Sequence, residues 1–92
     1  MHAVVVRVKL NNAEQATAFL REQIVPQVSQ APGVVHGYWT RADDGSNGQS
    51  MVVFESEEQA KAMAERISGE GGPPEEAATI ESIEVREVVA SV

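Results

Sequence analysis

The chain begins with a strict alternation. His2, Val4, Val6, Val8 and Leu10 fall on one side of an extended backbone, with Ala3, Val5, Arg7 and Lys9 on the other. A period of two with one apolar and one mixed face predicts a β-strand. Asn11-Asn12 ends it, and Asn12 with Gln15 three residues on has the spacing of a helix cap. The period then lengthens: Ala16, Phe19, Leu20, Ile24 and Val28 form a helical stripe that runs to about Gln30. Pro26 interrupts it, because it has no N–H for the Glu22 carbonyl and its ring crowds that turn. A kink near Val25, or a short second helix with Pro26 in its first turn, is expected.

After the turn Ala31-Pro32-Gly33, the segment Val34–Arg41 (VVHGYWTR) reads as a second strand. Simple alternation puts Val34, His36, Tyr38 and Thr40 on one face and Val35, Gly37, Trp39 and Arg41 on the other. A polar hairpin loop, Ala42 to Asn47, leads to the best-specified stretch, QSMVVFESEEQAKAMAERISG from Gln49 to Gly69. Met51–Phe54 suits a strand covered on both faces. Ser56 and Gln59 then have capping-box spacing, Glu57 and Glu58 favour the first helical turn, and Ala60, Met63, Ala64 and Ile67 make one apolar stripe. Gly69 is placed to stop that helix, and Gly69 to Pro74 reads as a connector. Glu75 to Thr79 suits a single helical turn. Ile80 to Val92 reads as a last strand, with Ile83, Val85 and Val89 opposite Val88, Ala90 and Val92. Its charges fit a sheet edge.

The order β-α-β-β-α-β is the α+β, ferredoxin-like arrangement, a four-stranded antiparallel sheet with two helices on one face. The helices cover one face only. Val5, Val35, Trp39 and part of Met51–Phe54 make the opposite face apolar on this reading, and a second copy of the chain is expected to cover it.

Ninety-two residues suffice for one domain, residues 1–92. A chain this short buries only roughly 60–65% of its extended surface, which adds to the case for association. Cysteine is absent, which removes disulfides, thiolate metal sites and a thiol nucleophile. The net charge of −7 lies wholly in the second half: residues 1–46 carry four basic and four acidic groups, residues 47–92 three and ten. With no basic patch, nucleic acid is not an expected partner. The opening MHAVVVRVKL is neither a signal peptide nor a membrane span, so a cytoplasmic location is expected.

Several of these stretches resemble the dimeric α+β-barrel superfamily, and within it the antibiotic-biosynthesis-monooxygenase-like proteins. The likeness rests on Pro32-Gly33-Val34-Val35 leading into the second strand and on Gly37-Tyr38-Trp39 after it. It rests also on the junction Val52-Val53-Phe54-Glu55-Ser56-Glu57-Glu58-Gln59-Ala60, the valine-rich first strand and the closing IEVREVVASV. The resemblance implies two sheets paired face to face across a two-fold axis. It also implies a neighbourhood of cofactor-independent oxygenases acting on aromatic molecules, haem-degrading enzymes and many relatives with no assigned role. The haem-degrading members carry an Asn near the first strand, a Trp on the third and a His on the second helix. Here Asn11 or Asn12 answers the first, but the third strand has no Trp and Ser56–Ser68 no His, so haem degradation is not expected. The oxygenase members place Asn, Trp, Tyr and Arg around a pocket between sheet and helices, and Asn12, Tyr38, Trp39, Arg7 and Arg41 are of those types.

His36 and Tyr38 share a face and are the candidate catalytic pair, with Asn12 as a third. A neutral imidazole can act as a general base, and a phenol can hold a ligand oxygen. The ordinary alternative is a histidine and a tyrosine at the edge of a core. The pocket expected for a small apolar or aromatic ligand lies between His36/Tyr38 and the helical stripe of Phe19, Leu20, Met63 and Ile67. A catalytic protein would keep that space open by a few hundred Å³, roughly the size of a small-molecule site. A non-catalytic dimeric module would fill it. Trp39 and Val35, on the opposite face, are the expected dimer anchors. No cofactor or metal is expected: the two histidines lack partners for a transition-metal site, and the loop after Asp43 fails as a calcium loop in either register. Glycine placement gives no nucleotide-binding motif, and the serines no nucleophile elbow.

Overall fold

In the computed structural model, which describes residues 1–69 and 72–92, the first strand is the one on which the sheet is built. Strand β1 (His2–Leu10) is followed by helix α1 (Ala13–Phe19), a π-helical turn (Leu20–Ile24) and α2 (Val25–Ser29). Then come β2 (Val34–Arg41), β3 (Asn47–Phe54), α3 (Glu57–Gly69) and β4 (Ala78–Glu87). The strands lie in the order β2-β3-β1-β4, every neighbour antiparallel. The chain is thus the expected β-α-β-β-α-β fold, with α1, the π turn and α2 acting as its first helical layer. Among the described residues, no helix is long and apolar enough to cross a membrane.

The apolar face of β1 seeds the core. Val4 and Val6 pack with Val52 and Phe54 of β3, Val28 of α2 and Ala60 and Met63 of α3. Phe54 and Val4 are each only 1% exposed, so they mark its centre. Both helical layers are capped as the sequence requires. The Asn12 side chain accepts the Gln15 N–H at 3.0 Å, and Ser56 Oγ accepts the Gln59 N–H at 3.2 Å. The Gln59 carboxamide does not complete a capping box. It packs instead against Gly33, where a Cβ would fall on it and where φ is +80°. Only glycine meets both demands at no cost.

Pro26 is absorbed rather than made a break. One turn before it the ladder changes register, and the Val25 N–H donates to the Leu20 carbonyl five residues back. The extra residue in that turn accommodates the proline ring, and α2 proceeds with Pro26 at its start.

His2 pairs with Phe54 and Glu87 in the sheet, as the alternation predicts, and its Nε2 stands 3.4 Å from Glu57 Oε2. Several expectations need correction. Gly69 is the last residue of α3 rather than the first beyond it. Of the connector expected after it, Glu70 and Gly71 lie outside the described residues. The last strand stops at Glu87 instead of running to Val92. Beyond it the Val88 N–H donates to the Met1 carbonyl at 3.0 Å, the last backbone hydrogen bond between this segment and the start of the chain.

The main correction concerns β2. The pairing with β3 shifts between Val34 and His36, leaving Val35 as a bulge. That extra residue reverses the alternation. Val34 and Trp39, an odd number apart, both pack on the helix-facing core, while His36 and Tyr38 pair with Val53 and Met51 on the open face. Trp39 is therefore not on the open face where simple alternation placed it. A second bulge, at Glu81 in β4, likewise puts both Ile80 and Ile83 on the core side.

Candidate functional site

Between the sheet and the first helical layer, near the α1 end of β1, the side chains leave a cavity of about 100 Å³. Its sheet wall comes from Val6, Val8 and Leu10 of β1, Trp39 and Arg41 of β2, Gly48 to Ser50 of β3 and Ile80 of β4. Its roof is Ala16, Thr17, Phe19, Leu20 and Ile24, with Ile67 of α3. Leu20 and Ile24 bound the π turn, so the register change that accommodates Pro26 also shapes this wall. A smaller void of about 40 Å³ continues towards Val52 and Met63. Trp39, Val6, Ile24, Ser50 and Ile67 line both, so the indole stands between the two spaces.

The indole is held there by an absence. A Cβ on Gly37 would stand 3.1 Å from Trp39 Cη2 and 3.5 Å from Val52 Cγ2, so the bare backbone at Gly37 is what lets the ring lie back along the strand. Gly48 plays a similar part at the far end, where a Cβ would come within 3.0 Å of the Thr40 carbonyl oxygen.

The polar contribution is concentrated in one place. Thr17 Oγ1 donates to the Ala13 carbonyl at 2.8 Å and accepts from Arg41 Nη1 at 3.3 Å. The guanidinium is thereby drawn from the end of β2 to α1, across the cavity wall. Among the described lining residues Arg41 is the one ionisable group.

The sequence-derived candidates thus separate. Phe19, Leu20 and Ile67 line the larger cavity and Met63 the smaller. His36 and Tyr38 line neither: they stack on the open face with ring centroids 6.5 Å apart, and Tyr38 is 67% exposed. Asn12 is occupied as the cap of α1, outside the cavity. Val35 is exposed at the bulge, and Trp39 faces inward. Thr17 was not singled out by sequence reasoning. The signal existed, since it precedes Leu20 by three residues and Ile24 by seven and so puts a hydroxyl on an apolar stripe.

The open face carries Ala3 and Val5 of β1, Met51 and Val53 of β3, and His36 and Tyr38 of β2. Val35, Tyr38 and Met51 are among the chain's exposed large apolar groups. Arg7 and Lys9 lie at one end of this face, and Glu84 and Arg86 along its β4 side. Among the described residues, no cluster of three or more His, Asp or Glu is placed to hold a metal ion.

No family model matches the chain, and no curated protein matches it. Solved structures do, over its whole length. HapK from Hahella chejuensis is 14% identical with a TM-score of 0.66, the match covering 100% of this chain and 96% of that one. A dimeric ferredoxin-like protein from an uncultured marine organism is 14% identical with a TM-score of 0.61, covering 100% and 98%. A point mutant of MhuD, solved with two manganese protoporphyrin IX bound per active site, is 20% identical with a TM-score of 0.70, covering 100% and 98%. The resemblance noted in the sequence therefore holds for the fold, which this chain shares with solved dimeric ferredoxin-like proteins.

Proposed function

We propose that the protein is a homodimer that binds one small apolar or aromatic molecule per subunit in the cavity beside Trp39. The observation that carries this reading is a space of about 100 Å³ walled by aliphatic side chains and an indole, with no carboxylate, imidazole or phenol among its described lining residues. For scale, an engineered cavity of about 150 Å³ holds benzene. A monocyclic ligand is of the right order. Pockets for drug-sized ligands run to roughly 300–1,000 Å³, which argues against a porphyrin such as that in the MhuD structure. Pairing of two copies through the open face is supported by its exposed Val35, Tyr38 and Met51, and by the dimeric ferredoxin-like proteins that share the fold.

Catalysis without a cofactor, as an oxygenase or isomerase, is the second reading. The π turn in the cavity wall favours it, because such turns concentrate at functional sites. Against it, His36 and Tyr38, the groups suited to proton transfer, lie on the other face of the sheet.

The chain has a single tryptophan, so its fluorescence reports on the cavity directly. Titration with phenol or toluene should change Trp39 emission saturably and raise the melting temperature. Ile67→Phe, which fills the space, should abolish both. An emission that stays flat in the wild type, or a response that survives Ile67→Phe, would overturn the binding reading. Oxygen consumption on adding a phenol or quinone would promote the catalytic one.

A further inference from the structure

Resting on the binding reading above, we infer that the ligand carries an anionic head, a carboxylate or phenolate, which Arg41 receives at the mouth of the cavity. An apolar cavity alone selects only for size and greasiness. Here a cation has been placed beside one. Arg41 is an exposed residue at the end of β2, and its Nη1 donates to Thr17 Oγ1 at 3.3 Å, across from strand to helix. Thr17 is itself committed, its hydroxyl proton going to the Ala13 carbonyl at 2.8 Å, so its oxygen can only accept. That chain of bonds directs one edge of the guanidinium to α1. It uses one donor of five, and leaves the rest of the fork available for a bidentate carboxylate.

Among the described residues Arg41 has no competing partner. The ion pairs among the described residues are His2–Glu57, Lys61–Glu57 and Arg86–Glu84, and none involves Arg41. The nearest acid in sequence with a defined contact, Asp44, gives its Oδ1 to the Ser46 N–H and Oγ instead. Among the described lining residues of the cavity there is thus one cation and no carboxylate to neutralise it. The geometry suits a ligand with two ends: a ring or short chain against Trp39, Phe19 and Ile67, and a charged end at Arg41. Benzoate is the simplest molecule of that kind.

The experiment is a titration of Trp39 fluorescence with benzoate and with its neutral counterpart benzamide, in the wild type and in Arg41→Gln. Charge-assisted hydrogen bonds are stronger than neutral ones, so benzoate should bind the wild type about tenfold more tightly than benzamide. Arg41→Gln should remove that advantage by weakening benzoate about tenfold and benzamide far less, and added salt should narrow the gap in the wild type only. Equal affinity of the two probes in the wild type, or an equal loss of both in Arg41→Gln, would overturn the anionic head and leave the apolar cavity standing. If neither probe bound, the binding reading would fall, and this inference with it.

Discussion

The two faces of this sheet are made from the same strands, residue by residue in alternation, and they have opposite characters. On the helix side Val4, Val6, Val52 and Phe54 are sealed under two helical layers, which leave a space beside Trp39. On the other side Ala3 and Val5 are buried by their neighbours' side chains alone, while Val35, Tyr38 and Met51 stand in solvent. A face already finished can leave a cavity for a ligand. A face left bare needs another molecule to finish it. The division teaches that, in a domain too small for two cores, one strand pattern can serve both folding and the association proposed above.

That contrast can be broken from either side. Phe54→Ala attacks the sealed face and should have the largest effect, about 3–5 kcal/mol of folding stability, because it deletes a buried ring where little can collapse. Urea unfolding measures it. Val53→Asp, one residue away but on the open face, should act on association instead. It buries an unpaired carboxylate at the proposed interface, which costs about 3 kcal/mol, on the order of 100-fold in the dimer constant. Should Val53→Asp unfold the subunit while leaving the dimer constant alone, the assignment of faces would be wrong.

Smaller changes sharpen the comparison. Gly37→Ala puts a methyl 3.1 Å from the Trp39 ring and should cost about 1–2 kcal/mol, with a shift in tryptophan emission as the indole is pushed into the cavity. Asn12→Ala removes the α1 cap and should cost about 1 kcal/mol without moving the emission. Tryptophan emission thus separates a cavity effect from a general loss of stability. The smallest effect lies in the β2–β3 loop. Hydrogen bonds from the Ser46 side chain and backbone hold the Asp44 carboxyl below its ordinary pKa. That stabilisation is present at neutral pH and fades as pH falls through the lowered value, so Asp44→Asn should flatten the acid limb of the stability profile slightly.

Most of the fold was legible because periodicity changes sharply along the chain. The shift from alternation in β1 to the stripe of α1, and from Met51–Phe54 to the stripe of α3, marks elements whose burial follows directly. What escaped was the phase within β2. VVHGYWTR has apolar groups on both sides of any alternation, so nothing in it betrays a bulge at Val35, and the bulge decides whether Trp39 or His36 faces the helices. Pro26 announced a disturbance and not its form, since a kink, a break and a π turn all relieve the same clash. The overlong last strand failed for a different reason. Val88–Val92 has strand propensity, but pairing needs a partner, and β4 is paired with β1 only as far as Glu87 opposite His2. Likewise the pairing of Arg41 with Thr17 joins residues 24 apart in sequence, which no local spacing reveals.

The claim on which the rest depends is that Trp39 belongs to the cavity and the open face to a second copy. Sedimentation velocity at micromolar concentration, run on the wild type, Trp39→Phe and Val53→Asp, tests it most directly. The wild type and Trp39→Phe should sediment at twice the chain mass, and Val53→Asp at the mass of one chain. A wild type that sediments as a single chain, or a Trp39→Phe that dissociates while Val53→Asp stays paired, would contradict it.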